Sequence, residues 1–303
     1  QGWTGCVQAH RGVNFQRLPS VGTWLRQHSQ APHEQTFQRL PSVGTWLRQR
    51  PTVDVAGQLA DRGFTLRQLL RFYVDKRVRD WHTTEEVVRD IVIKETAEDR
   101  TYYMDSSFMR GIGGPVRATK LVSHAWQSKF ATTVLNILLD ATDLGFEALK
   151  QHLACRFHDN AVDYLDMFQK ALSQLEAATL DKAFWLCVFA VNEHLAICGE
   201  CWGCRLTSSA DLARTWCHDP PRGCGRKKRN PCPCGSLKLK TGDPRCEIDK
   251  FDQVVARMEG LVVSIDVSLA ALRRVWVVAE VVEASNQSIP VVFRRGDDVS
   301  EEI

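Results

Sequence analysis

A chain of 303 residues, set against domains of roughly 100 to 200, has room for two compact units at most and a surplus for an arm or insertion. Its 44% hydrophobic and 25% charged content excludes collagen-like, coiled-coil and wholly disordered chains. A formal net charge of +3 excludes polyanion binding by whole-chain charge, so any basic site is a local patch.

The first element is an internal repeat: FQRLPSVGTWLRQ occurs at 15–27 and again at 37–49. Two copies broken by Pro19, Pro41, Gly22 and Gly44 cannot build a solenoid, which needs about three units to bury its faces. Residues 1–52 therefore read as a disordered arm without chemistry, with Trp24 and Trp46 as docking anchors the alternative. Residues 53–110 read as a helical lead-in. Leu66, Leu69, Leu70 and Tyr73 share one helix face, and Thr83 with Glu86 forms a capping box before Val87, Val88 and Ile91. Arg67, Arg71, Arg77 and Arg79 make a solvated outer face.

After the break at Gly111, Gly113, Gly114 and Pro115 the rhythm becomes strand, amphipathic helix, strand, which is an α/β signature. The expected strands are 120–122, 184–191, 261–265 and 289–293. Between them come helices carried by Phe130, Val134, Ile137 and Leu138, by Val162, Leu165, Phe168, Leu172 and Leu175, by Ile248, Phe251, Val255 and Met258, and by 272–284. The run at 184–191, apolar on both faces, is expected to be a central parallel strand. The longest apolar run, 183–191, has nine residues, far short of the roughly 18 to 20 of a membrane span. The start at Gln1, with no basic-then-apolar leader, reads as a fragment or imperfect gene model, with a cytoplasmic location expected.

Ligand crevices in open parallel sheets lie beyond the carboxyl ends of the strands. Those ends present Ser123, His124 and Trp126, then Asn192, Glu193 and His194, then Ser264 and Asp266. Polar, titratable and aromatic groups gathered at three strand ends point to a site, although each polar residue taken singly can equally cap a helix. A serine-hydrolase set of Ser123, His124 and Asp266 is disfavoured because adjacent residues on a strand point to opposite faces.

Eight of the eleven cysteines fall within 198–246, a density that favours a metal site over a scattered disulfide framework. Cys198, Cys201 and Cys204 are spaced CxxCxxC; Cys217, His218, Cys224, the pair Cys232 and Cys234, and Cys246 follow. These nine residues suffice for two tetrahedral zinc sites, with disulfides or reduced thiols as the alternatives. The stretch also carries Arg222, Arg226, Lys227, Lys228, Arg229, Lys238 and Lys240 without an acid among them. It reads as a polyanion contact or as charge balancing zinc-bound thiolates. NPCPCG at 230–235 looks like the start of the SEC-C zinc motif, with a longer spacing to the next cysteine.

KLVSHAW at 120–126 resembles the opening strand of TIR domains and the SHxW opening of the fungal heterokaryon-incompatibility domain. FWLCVFAVNEH at 184–194 is similar to the second signature of that domain. LVVSIDVSLAALRRVWVVAE at 261–280 looks like the TIR segment ending in W-C-x-x-E-L, with Trp276 and Glu280 matched and Val277 in place of the cysteine. IPVVF at 289–293 resembles the closing TIR strand. The same ordered set, with a cysteine-rich insert and the run CEIDKFD at 246–252, looks like a family of uncharacterised proteins from unicellular algae.

The resemblance, over about 117–295, implies a flavodoxin-like parallel sheet with helices on both faces across 111–303, interrupted by the insertion at 198–246. It implies NAD as substrate, Glu280 as the residue acting beside the nicotinamide–ribose bond, and a crevice formed with Ser123, His124, Trp126, Asn192, Asp266 and Trp276. It also implies self-association or TIR-type partners. The competing expectation is a noncatalytic interaction module, since a fold does not guarantee its chemistry.

Overall fold

The computed structural model describes residues 54–154, 162–198, 232, 234–239 and 241–296. They belong to one compact unit, Val53–Ile303. The repeat and most of the insertion, including Cys201, Cys204, Cys217, His218 and Cys224, lie outside the described residues.

The unit is mixed α/β. A five-stranded sheet is built from β1 (Phe64–Thr65), β2 (Lys120–Ser123), β3 (Ala183–Trp185), β4 (Gly260–Ile265) and β5 (Val291–Arg295), in the order β1-β3-β2-β4-β5. β1 runs antiparallel to β3 and every other pairing is parallel. β1 was not expected: it is two residues of the lead-in that find a partner only in the folded chain. Gly63 lets the backbone come close, because a Cβ there would sit 2.8 Å from the Phe184 carbonyl oxygen and 2.9 Å from that of Val116.

Side chains alternate across the strands into two cores. Val122, Phe184 and Val262 enter one core with α1 (Leu66–Asp75), α2 (Phe130–Thr142) and α3 (Tyr164–Gln174). Leu121, Trp185, Leu261 and Val263 enter the other, against α6 (Phe251–Val255) and α7 (Val275–Asn286). Leu66, Leu69, Leu70 and Tyr73 are fully buried in the first core, and both capping boxes, Thr65 with Gln68 and Thr83 with Glu86, are formed. On α3 the expected face is displaced: Met167, Phe168 and Ala171 are buried while Leu165 is exposed. Among the described residues no helix is long and apolar enough to cross a membrane.

The run at 184–191 departs from expectation. Its strand ends at Trp185, and Cys187–Ala190 forms a helical turn, α4. A strand would send Val188 and Phe189 to opposite faces, whereas both are buried in the first core. There the Phe189 ring meets those of Phe72 at 4.9 Å and of Phe64 and Tyr103 at 5.4 Å each. An apolar run alone does not distinguish a buried strand from a buried helical turn.

Glu247, in the CEIDKFD run, fastens the chain after the insertion to the lead-in. Its Oε1 lies 2.6 Å from Arg62 Nη1, and its Oε2 accepts the Asn192 amide at 2.7 Å. Arg62 also donates to the Ala190 carbonyl and covers the Tyr102 ring at 3.8 Å. Glu247→Ala strands a mostly buried guanidinium and an amide, and is expected to cost about 3–5 kcal/mol. Arg257→Ala, which removes the exposed pair with Asp54, should cost under about 1 kcal/mol. Urea unfolding of both variants measures the contrast.

Candidate functional site

The chain steps from β2 outward to β3 and then returns past β2 to β4, so the strand order reverses beside β2. Such switch points open a crevice at the carboxyl ends of the strands. A cleft of about 720 Å³, counted to its open mouth, lies there. Ser123, His124 and Trp126 come from the end of β2, and Trp276 and Glu280 from one face of α7. Cys187 on α4 and Glu193 on α5 (Glu193–Ala196) also line it, with Arg274 at the start of α7.

Glu280 is 8% exposed and accepts a hydrogen bond from the Ser123 hydroxyl. Burial pushes its pKa up to about 7, against the opposing pull of Ser123 and the Arg274 guanidinium. His124 is also buried, and its Nε2 has no hydrogen-bond partner among the described residues. Burial, reinforced by Arg274, pushes its pKa down to about 3, so the ring is neutral at physiological pH. Arg274 donates to the His124 carbonyl at 3.0 Å. Burial pushes the Cys187 thiol up to about 12, which removes it as a thiolate nucleophile. Trp276, 51% exposed, stands at the mouth with its ring edge-on to Phe251 at 6.5 Å.

These two buried groups give stability a pH dependence of known sign. Glu280 keeps its proton in the fold between its ordinary 4.5 and about 7, while the unfolded chain loses it, so stability falls as pH rises through that window. The loss is roughly 3 kcal/mol at about 1.4 kcal/mol per pKa unit. His124 acts oppositely: between about 3 and 6.5 the unfolded chain binds the proton and stability rises with pH. The two slopes oppose each other from about 4.5 to 6.5. Glu280→Gln should leave the His124 slope alone, visible as rising stability up to about pH 6.5 in urea titrations.

Of the residues expected at the strand ends and on α7, Ser123, His124, Trp126, Glu193, Trp276 and Glu280 line the cleft, and Asn192, His194, Ser264 and Asp266 stand outside its lining. Asn192 caps α5, accepting from the His194 amide at 3.0 Å and donating to the Arg100 carbonyl at 2.8 Å. Asp266 accepts from the Ser128 and Ser268 hydroxyls and the Ala270 amide. Ser123 bonds Glu280 rather than His124, so the serine-hydrolase arrangement is not formed.

A second cluster lies behind α5. His194, Cys198, Cys232 and Cys234 bring one nitrogen and three sulfurs within 4.8 Å of one another, a group that can hold a metal ion. Cys198 Sγ and Cys234 Sγ are 3.4 Å apart, as are Cys232 Sγ and His194 Nδ1. All five described cysteines are free thiols. Cys246, expected among the ligands, is not in this group: its buried thiol bonds Asp249. His194, which the cysteine spacings did not single out, is in it. The signal was present as His194-x-x-x-Cys198, two ligand types four residues apart. Lys238, expected in the basic patch, turns inward to the His194 carbonyl at 2.6 Å and Cys198 Sγ at 2.9 Å.

Compared with protein-family models, curated proteins and solved structures, the chain has no significant match in any of the three.

Proposed function

We propose that the cleft is the nucleotide site of a flavodoxin-like, TIR-type domain and that Glu280 assists cleavage of the nicotinamide–ribose bond of NAD. The observation that carries this reading is a buried carboxyl, titrating near neutrality and held by Ser123, on the wall of a cleft with an indole at its mouth. The order of the parallel strands, second-first-third-fourth along the chain, supports the flavodoxin-like assignment.

In the reaction, the ribose carbon–nitrogen bond breaks and its electron pair leaves on the nicotinamide nitrogen. Positive charge then appears on the sugar, where the ionised Glu280 stabilises it. Water supplies the oxygen of the new bond and releases one proton to solvent. Trp276 and Trp126 offer aromatic surface for the bases.

The His/Cys group takes zinc in this reading, as a structural element. The test is nicotinamide release from NAD by the full chain at high protein concentration, where self-association is favoured. Release by the wild type supports the reading, and none under those conditions overturns it.

An interaction module is the second reading, favoured by a row of exposed side chains on and before α7: Leu272, Val275, Val278 and Val282, the second of them 81% exposed. A wild type that assembles but never turns over NAD would support it.

A further inference from the structure

We propose that His194, Cys198, Cys232 and Cys234 are the complete ligand set of one closed, four-coordinate zinc centre, with Thr96 and Lys238 as its outer shell. The proposal deepens the structural zinc of the preceding section and makes no use of NAD chemistry. The donor geometry comes first. Zinc–sulfur and zinc–nitrogen bonds of about 2.3 and 2.0 Å in a tetrahedron set donor–donor edges of about 3.5–3.8 Å. The four donor atoms here lie within 4.8 Å of one another, with two pairs at 3.4 Å, near those edges.

The histidine is prepared for the role. The buried Thr96 hydroxyl donates its only hydrogen to the Val92 carbonyl at 2.7 Å. Toward His194 Nε2, 2.9 Å away, Thr96 can therefore only accept. Nε2 then carries the ring proton, and the lone pair is on Nδ1, the nitrogen facing Cys232. A ligand imidazole fixed through its other nitrogen is the usual companion of a protein zinc site. The Val92 carbonyl belongs to a π-helical turn, Val88–Val92, a deviation that often marks functional positions.

The charge also closes. Three thiolates and a neutral imidazole around a dication leave one net negative charge, and the Lys238 ammonium, 2.9 Å from Cys198 Sγ, neutralises it. Four protein donors leave no open coordination position, so the centre holds structure rather than activating water. What it holds is specific. Lys238 and Leu239 are bound to α5, with Leu239 N on the Leu195 carbonyl at 2.8 Å and Lys238 Nζ on that of His194 at 2.6 Å. Glu193 and Ala196 of the same helix line the cleft.

Zinc counting by native mass spectrometry on the full chain tests the ligand set. His194→Ala should carry one zinc fewer per chain than wild type, and Cys246→Ser the wild-type number. Thr96→Val, which keeps every ligand, should weaken zinc 10- to 100-fold in chelator competition while reaching full occupancy at saturating metal. Cobalt(II) loaded into the wild type should show intense tetrahedral bands with sulfur-to-metal charge transfer, reduced in His194→Ala and unchanged in Cys246→Ser. If His194→Ala retains the wild-type zinc count and cobalt spectrum, the ligand set is wrong. The cobalt spectrum of the wild type decides even if His194→Ala does not fold, because an octahedral, weakly absorbing ion would overturn the proposal. None of these readouts depends on NAD turnover, so the zinc centre and the catalytic reading fail separately.

Discussion

Glu280→Gln is expected to lower NAD cleavage by about 10²- to 10⁴-fold in kcat with KM little changed. The substitution keeps the size of the side chain and an oxygen to accept the Ser123 hydroxyl, but removes the charge that the sugar cation meets. The pH profile separates this role from a structural one. Wild-type kcat/KM should rise through about pH 7 as the carboxyl ionises and then level off, since that profile reports the free enzyme. Arg274→Gln should move the midpoint upward, because the guanidinium stabilises the carboxylate. A profile that is flat through neutrality, or a midpoint indifferent to Arg274, would mean that Glu280 takes no part in the chemistry.

Metal removal is expected to have the largest effect on stability. A structural zinc contributes roughly 10–16 kcal/mol at neutral pH in small metal-dependent folds, as much as the roughly 5–15 kcal/mol of a whole domain. After chelation, hydrogen exchange should accelerate in Asn192 to Cys198 and at Leu239, whose amide bonds the Leu195 carbonyl. β2 and β4, paired along four residues in the sheet interior, should keep their protection until global unfolding. An unchanged melting temperature and unchanged exchange at α5 would remove the metal from the account of stability.

The sheet interior was legible in the sequence, and its margins were not. β2 and β4 announce themselves because each is a short apolar run between turn signals, with neighbours covering both faces. β1 could not be read from Phe64 and Thr65, since two residues carry no period and the pairing with β3 exists only once the lead-in has docked. The misreading of 184–191 has a similar origin: which core each side chain enters, rather than local pattern, decided between strand and turn. At the cleft, Ser123 and His124 were legible from a strand end, and Trp276 and Glu280 from the resemblance of 261–280 to a TIR segment. Cys187 and Arg274 were not, because their place in the lining depends on how α4 and α7 pack.

Both ends of the sheet discourage further strands. At one end β1 offers only two residues. At the other, β5 finishes in Arg294 and Arg295, and Arg294 is drawn aside to Asp143 at 2.9 Å. A short edge and a cationic edge are both poor templates for backbone pairing. Among the described residues, then, neither edge of the sheet invites a further strand, and the sheet ends where its own chain ends it.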